Sequence, residues 1–96
     1  MCSILGFIDF RNKYPHKKEN IYKLNKLMSH RGPDDEGFFN DEVISLAFNR
    51  LSIIDLNKRS DQPMFSSCKR YIMTFNGEIY NFIELRRSLK NKGVKF

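Results

Sequence analysis

The opening of this chain constrains it most. A cysteine stands directly behind the initiator methionine, and the run Ser3-Ile4-Leu5-Gly6-Phe7-Ile8-Asp9-Phe10 follows at once, short, apolar and rich in β-favouring residues. Such a run predicts a buried strand. It is interrupted by Asp9 and Arg11 too early to be the apolar region of a signal peptide, and nothing later approaches the roughly 20 apolar residues needed to cross a bilayer. Cys2 and Cys68 are the only cysteines. Their spacing suits neither a disulfide framework nor a zinc site. The expectation is a protein of a reducing compartment, the cytoplasm, with no membrane partner.

The rest of the chain alternates periodicities. Arg11 to Lys18 is polar, contains Pro15 and reads as a loop. Ile21, Leu24, Leu27 and Met28 then share one face of a helix, with Lys23, Asn25 and Lys26 turned away. His30-Arg31-Gly32-Pro33-Asp34-Asp35-Glu36-Gly37 packs two glycines and a proline into a shaped turn. Strands are predicted over 37–39, 43–49, 51–54 and 71–75, with a polar loop over 57–63. The last strand ends at Asn76-Gly77, a dipeptide suited to a tight turn with positive φ. Phe82, Leu85 and Leu89 mark a second helix stopped by Gly93, and Val94-Lys95-Phe96 reads as the opening of another strand. The order β, α, several β, α predicts an α+β domain. A sheet partner for its final strand is lacking, so residues 1–96 are read as part of a domain rather than the whole of it.

Charge narrows the function classes. The net charge is +6, but Arg11, Lys13, Lys17 and Lys18 lie near one end and Lys90, Lys92 and Lys95 near the other. No aromatics alternate with them as on a base-stacking surface. A solvated basic surface is the reading, with no nucleic-acid partner. His16 and His30 have no neighbours at metal-ligand spacing, and Asp34-Asp35-Glu36 is a solvent-facing turn, so no metal site is expected. With 41% hydrophobic and 14% aromatic residues, the chain has material for a core and is not a disordered segment. At this length it leaves much of its surface exposed and is marginal unless something covers it.

Three places could carry chemistry. Removal of Met1 by methionine aminopeptidase, which small second residues permit, would give Cys2 a free α-amine beside its thiol. That amine has an unperturbed pKa near roughly 7.7–8.0, suited to a general base, so one residue would hold both nucleophile and base. An ordinary buried cysteine is the alternative. Arg50, between Asn49 and the apolar Leu51-Ser52-Ile53-Ile54, could present a planar fork to a carboxylate, or could form a structural ion pair, for example with Asp55. At Asn76-Gly77-Glu78 a side-chain amide and a backbone N–H could converge on an oxyanion, with Glu78 as acceptor for a cationic group. A plain hairpin turn is the alternative there.

Taken in order, Met1 to Phe7, His30 to Gly37, Arg50 to Asp55, Gln62-Pro63-Met64 and Phe75 to Phe82 resemble the glutamine-dependent asparagine synthetases over essentially the whole chain. The resemblance implies a class II glutamine amidotransferase domain with the N-terminal-nucleophile fold, an αββα sandwich of which the first half is present. It implies that Cys2 attacks the side-chain amide of glutamine, that Asn76 and Gly77 form the oxyanion hole, and that Arg50 grips the substrate α-carboxylate. The main chain of Leu51, Ser52, Ile53 and Ile54 would line that pocket, and Glu78 would lie near the substrate α-amine.

Two positions depart from the usual pattern: Ser3 stands where many members have Gly, and Phe48-Asn49 replaces a His-Arg pair. Leu51-Ser52-Ile53-Ile54-Asp55 favours the asparagine-synthetase branch over sugar-phosphate and phosphoribosyl amidotransferases. The resemblance further implies a synthetase domain, absent from these residues, that uses ATP and Mg2+ and receives the ammonia, and it is compatible with a homodimeric parent. No cofactor is implied in this segment, and the segment alone is expected to be inactive. The alternatives are the same amidotransferase serving a cell-envelope sugar or a secondary metabolite, and a basic fragment without catalysis.

Overall fold

The computed structural model describes residues 2–52 and 60–96. Strand β1 (Ser3–Ile8) leads into helix α1 (Lys17–Leu27), a 3-10 turn (Ser29–Arg31), and the antiparallel pair β2 (Asp35–Asn40) and β3 (Ile44–Arg50). A short hairpin, β4 (Met64–Phe65) and β5 (Ile72–Met73), and helix α2 (Phe82–Asn91) complete the described elements. The first three strands form one antiparallel sheet in the order β1-β3-β2. β3 lies between its partners, from Ser3 opposite Asn49 to Ile8 opposite Ile44 on one side, and from Asp35 opposite Arg50 to Asn40 opposite Ser45 on the other. The chain is thus a small α+β unit with antiparallel sheets.

Local chemistry explains the turns. Between β2 and β3 the Asp41 carboxylate accepts the amides of Val43 (2.7 Å) and Ile44 (2.6 Å), closing an Asx turn. Beyond β1, Asp9 is buried and its carboxylate accepts the amides of Lys13 (3.1 Å) and Tyr14 (3.0 Å), with Lys17 at 4.0 Å. Burial by itself would raise this carboxyl, but the amides of Tyr14 and Lys13 and the Lys17 ammonium outweigh it and hold Asp9 below the usual carboxylate range. Helix α2 ends as Gly93 predicts. Gly93 takes φ of 85°, its amide donates to Lys90 O (2.9 Å), and the Val94 amide donates to Leu89 O (3.0 Å), the two bonds of a Schellman motif.

The core departs from the apolar periodicity in one respect that matters below. Of the α1 face predicted to be buried, only Ile21 is fully so; Leu24 and Leu27 are exposed. Asn25, predicted to face away, is fully buried instead. The reason is what lies beneath the helix. Residues 45, 47 and 49 of β3 share one face of the sheet. Ser45 and Ala47 are small and fully buried, so they let α1 approach closely, and Asn49 offers a hydrogen-bonding partner. The contact line of α1 is therefore Ile21–Asn25–Met28, with Tyr22 stacked on Phe38 of β2 at 4.1 Å between ring centroids.

Other predictions are corrected in extent. β1 is an edge strand rather than a buried one, and Phe7 and Ile8 are exposed. Leu51 and Ser52 are not in a strand, and positions 53–54 of that predicted strand lie outside the described residues. The strand predicted over 71–75 shrinks to Ile72–Met73, and Val94-Lys95-Phe96 is irregular. Helix α2 presents Phe82, Leu85 and Leu89 to the surface. Consistent with this, the radius of gyration of 15.4 Å exceeds the about 13 Å of a compact chain near this length. Among the described residues no helix is long and apolar enough to cross a membrane.

Candidate active site

The end of β3 organises the site. The Asp34 amide donates to Arg50 O (3.0 Å), Pro33 bridges to Arg50, and the Ser52 amide donates to Asp34 Oδ2 (2.6 Å). Gly32 lies against the same stretch so closely that a Cβ there would sit 2.4 Å from the Asn49 carbonyl carbon and oxygen and 2.7 Å from Arg50 N. Asp35 to Gly37 of the predicted turn open β2 instead, and the segment from Gly32 to Asp34 is thus a clamp on the backbone of Asn49, Arg50 and Ser52. Its glycine is required by space.

Against this clamped end lies the head of β1. Cys2 is half-buried, and its Sγ accepts the Leu51 amide at 3.3 Å and lies 3.8 Å from Leu51 O. From the other side of the sequence Asn76 Nδ2 donates to the Cys2 carbonyl at 3.1 Å. Asn76 reaches this position because Gln62 holds the preceding residue. The Gln62 amide donates through Nε2 to Phe75 O (3.0 Å) and accepts from Phe75 N, imitating a strand partner. Gln62 is itself seated against Gly37, where a Cβ would run into the Gln62 carbonyl. The Gln62–Pro63 peptide is cis.

The Arg50 guanidinium is nearly buried and donates to Asp61 Oδ1 at 2.6 Å. Of the two readings of Arg50, an ion pair is present, with Asp61 as the partner; Asp55 lies outside the described residues. Asn76-Gly77 is not a hairpin turn with positive φ. Among the described residues positive φ occurs at Asn12, Lys69 and Gly93 only. Gly77 and Glu78 follow Asn76 on the exposed surface. A Cβ on Gly77 would come within 2.9 Å of the tip of the Phe75 ring.

Of the residues singled out from the sequence, Cys2, Leu51 and Asn76 are joined by hydrogen bonds, and Arg50 and Ser52 flank Leu51 in the clamped segment. Ile53 and Ile54 lie outside the described residues. Asp34, Asp61, Gln62 and Asn25 were not singled out individually. For Asn25 a signal existed, its i+4 spacing from Ile21 on a helix. Asp61 is one polar residue in a polar loop and carried none.

A family profile for the glutamine amidotransferase domain matches residues 1–96. The chain belongs to this family. The glutamine amidotransferase domain is similar to glutamine-hydrolyzing asparagine synthetase 1 of Bacillus subtilis (strain 168), 44% identical over 101 residues and covering 100% of the chain. It is similar to asparagine synthetase B of Escherichia coli (strain K12), 40% identical over 86 residues and 90% of the chain. It is also similar to the asparagine synthetase of Brassica oleracea, 41% identical over 91 residues and 95% of the chain. The chain spans 15% of the length of each of these relatives. In this amidotransferase domain Cys2 and the side-chain amide of Asn76 meet beside Leu51 at the end of β3, the strand that carries Arg50, whose nearly buried guanidinium is bonded to Asp61.

Proposed function

We propose that this chain is the glutamine-hydrolysing part of an asparagine synthetase, with Cys2 as the nucleophile. The observation that carries the reading is the thiol of Cys2 seated on the Leu51 amide with Asn76 donating to its carbonyl. After removal of Met1, the α-amine of Cys2 takes the thiol proton as sulfur attacks the glutamine side-chain carbonyl. The Asn76 amide and the Gly77 N–H stabilise the tetrahedral oxyanion. Collapse breaks the C–N bond, and the protonated α-amine returns its proton to the departing ammonia. Water then hydrolyses the thioester, releasing glutamate and restoring the thiol.

Arg50 holds the substrate α-carboxylate, the main chain from Leu51 to Ile54 lines the pocket, and Glu78 lies near the substrate α-amine. The antiparallel sheet and the β4–β5 hairpin support the first half of an αββα N-terminal-nucleophile sandwich. The relatives' names and their greater length support a parent with a synthetase part that makes asparagine. We further propose that this part uses ATP and Mg2+ and that the parent is cytoplasmic.

The parent protein, given glutamine, aspartate, ATP and Mg2+, is expected to form asparagine and glutamate in equal amounts by amino-acid analysis. Glutamate without asparagine would assign the ammonia to another acceptor, and neither product would reject the reading. Arg50→Lys is expected to raise the KM for glutamine about 10- to 100-fold with kcat within a few-fold, because an ammonium cannot reproduce the bidentate fork. An unchanged KM would remove Arg50 from the carboxylate site.

A further inference from the structure

Immediately beneath the Cys2 end of the sheet lies a closed polar cluster that the mechanism does not use. Asn49 on β3 and Asn25 on α1 are both fully buried. Their amides pair reciprocally: Asn25 Nδ2 donates to Asn49 Oδ1 (2.8 Å), and Asn49 Nδ2 lies 3.0 Å from Asn25 Oδ1 and 3.1 Å from Asn25 O. Asn49 Nδ2 also donates to Ser3 Oγ at 3.0 Å, and Asn25 Nδ2 reaches Glu36 Oε2 at 3.4 Å. Ser3 is itself buried and is the residue that follows Cys2. Ser3 and Asn49, facing each other across β1 and β3, are thus bonded to each other through their side chains as well as paired in register.

Buried amides cost desolvation unless satisfied, and a satisfied cluster fixes a single arrangement of the elements that carry it. Here the elements are β1, β3, α1 and, through Glu36, β2. Three consecutive residues at the end of β3 divide the labour. Asn49 holds Ser3, Arg50 carries the guanidinium, and Leu51 N holds the Cys2 sulfur. Cys2 is joined to Ser3 by a single peptide bond, so a shift of Ser3 relative to Asn49 displaces the thiol relative to the end of β3.

We propose that Asn49, braced by Asn25, is a positioning residue that sets the location of the Cys2 thiol by hydrogen-bonding Ser3. This rests on the reading of Cys2 as the glutaminase nucleophile. The substrate meets neither amide, so the effect belongs in kcat and not in KM. A displacement of the order of 1 Å costs up to about 10²-fold in rate.

The test is a double-mutant cycle in the parent protein with Asn49→Leu, Ser3→Ala and the combined variant. Each single variant is expected to lower kcat for glutamate release about tenfold or more, with KM for glutamine within twofold. The combined variant should be no slower than the slower single variant, since both remove one bond. The rate of Cys2 alkylation by iodoacetamide, read by peptide mass spectrometry, should change in step with kcat in each variant. If Asn49→Leu does not fold, Ser3→Ala alone carries the prediction. Unchanged kcat and unchanged Cys2 alkylation in a folded Ser3→Ala protein would overturn the proposal, as would additive losses in the cycle. Failure of the glutaminase reading looks different: wild-type protein would release no glutamate while the alkylation rates still separated the variants.

Discussion

A Cys2→Ala protein is expected to release glutamate from glutamine at least about 10³-fold more slowly than wild type, while keeping a thermal midpoint within a few degrees. The size of the loss follows from the mechanism. Cys2 carries the only thiol of the described site, and removing a nucleophile that acts as a unit with its base forfeits the covalent route altogether. What remains is binding and oxyanion stabilisation around an unassisted water. The stability should change little because Cys2 is half-buried and its sulfur makes only weak bonds, at 3.3 Å from Leu51 N and 3.8 Å from Leu51 O. Glutamate release is measured by a coupled dehydrogenase assay, with midpoints by calorimetry. Glutamate release surviving in the folded variant would end the assignment of Cys2.

The largest loss of stability is expected at Gly32. Its substitution by alanine would place a methyl group 2.4 Å from the carbonyl carbon and oxygen of Asn49 and 2.7 Å from Arg50 N. These are backbone atoms of a strand paired on both sides, so they cannot step aside as a side chain could. Overpacking typically costs about 1–3 kcal/mol, and against unyielding backbone the upper end applies, a drop in Tm of the order of several degrees in the parent protein. The loss should extend to activity, because the displaced atoms belong to Asn49 and to Arg50, which carries the guanidinium and precedes Leu51, whose amide meets the thiol. A Gly32→Ala protein with Tm and glutamate release near those of wild type would show that the clamp on β3 is not tight.

Much of this is legible in the residue order. The alternation of β-favouring runs with helical spacing predicts an α+β unit, and the Gly93 stop, the loop over Arg11 to Lys18 and the ranges of β1 and β3 follow from local preferences. Gly and Pro in the segment from His30 to Gly37 announce a break between elements, and the structure shows that Gly32 is needed there for close approach rather than for a positive φ. What local preference cannot carry is the choice of face. Periodicity places Asn25 on the solvent side of α1, whereas the small residues of β3 and the waiting amide of Asn49 draw it inward.

The site divides in the same way. Sequence motifs alone single out Cys2, Arg50 and Asn76, because each residue type has a chemistry that stands out at its position. They do not say that the Cys2 sulfur rests on the Leu51 amide, that Arg50 is held by Asp61, or that Gln62 holds Phe75, the residue before Asn76. Those contacts join residues up to 49 positions apart, and they depend on which backbone groups the sheet leaves open. Composition and order determined the α+β class, the main elements β1, α1, β3 and α2, and the family of this chain. Only the packing of α1 and the turn of Gly32 onto the end of β3 decided which atoms meet, because hydrogen bonds between distant residues exist only once the sheet has set their distance.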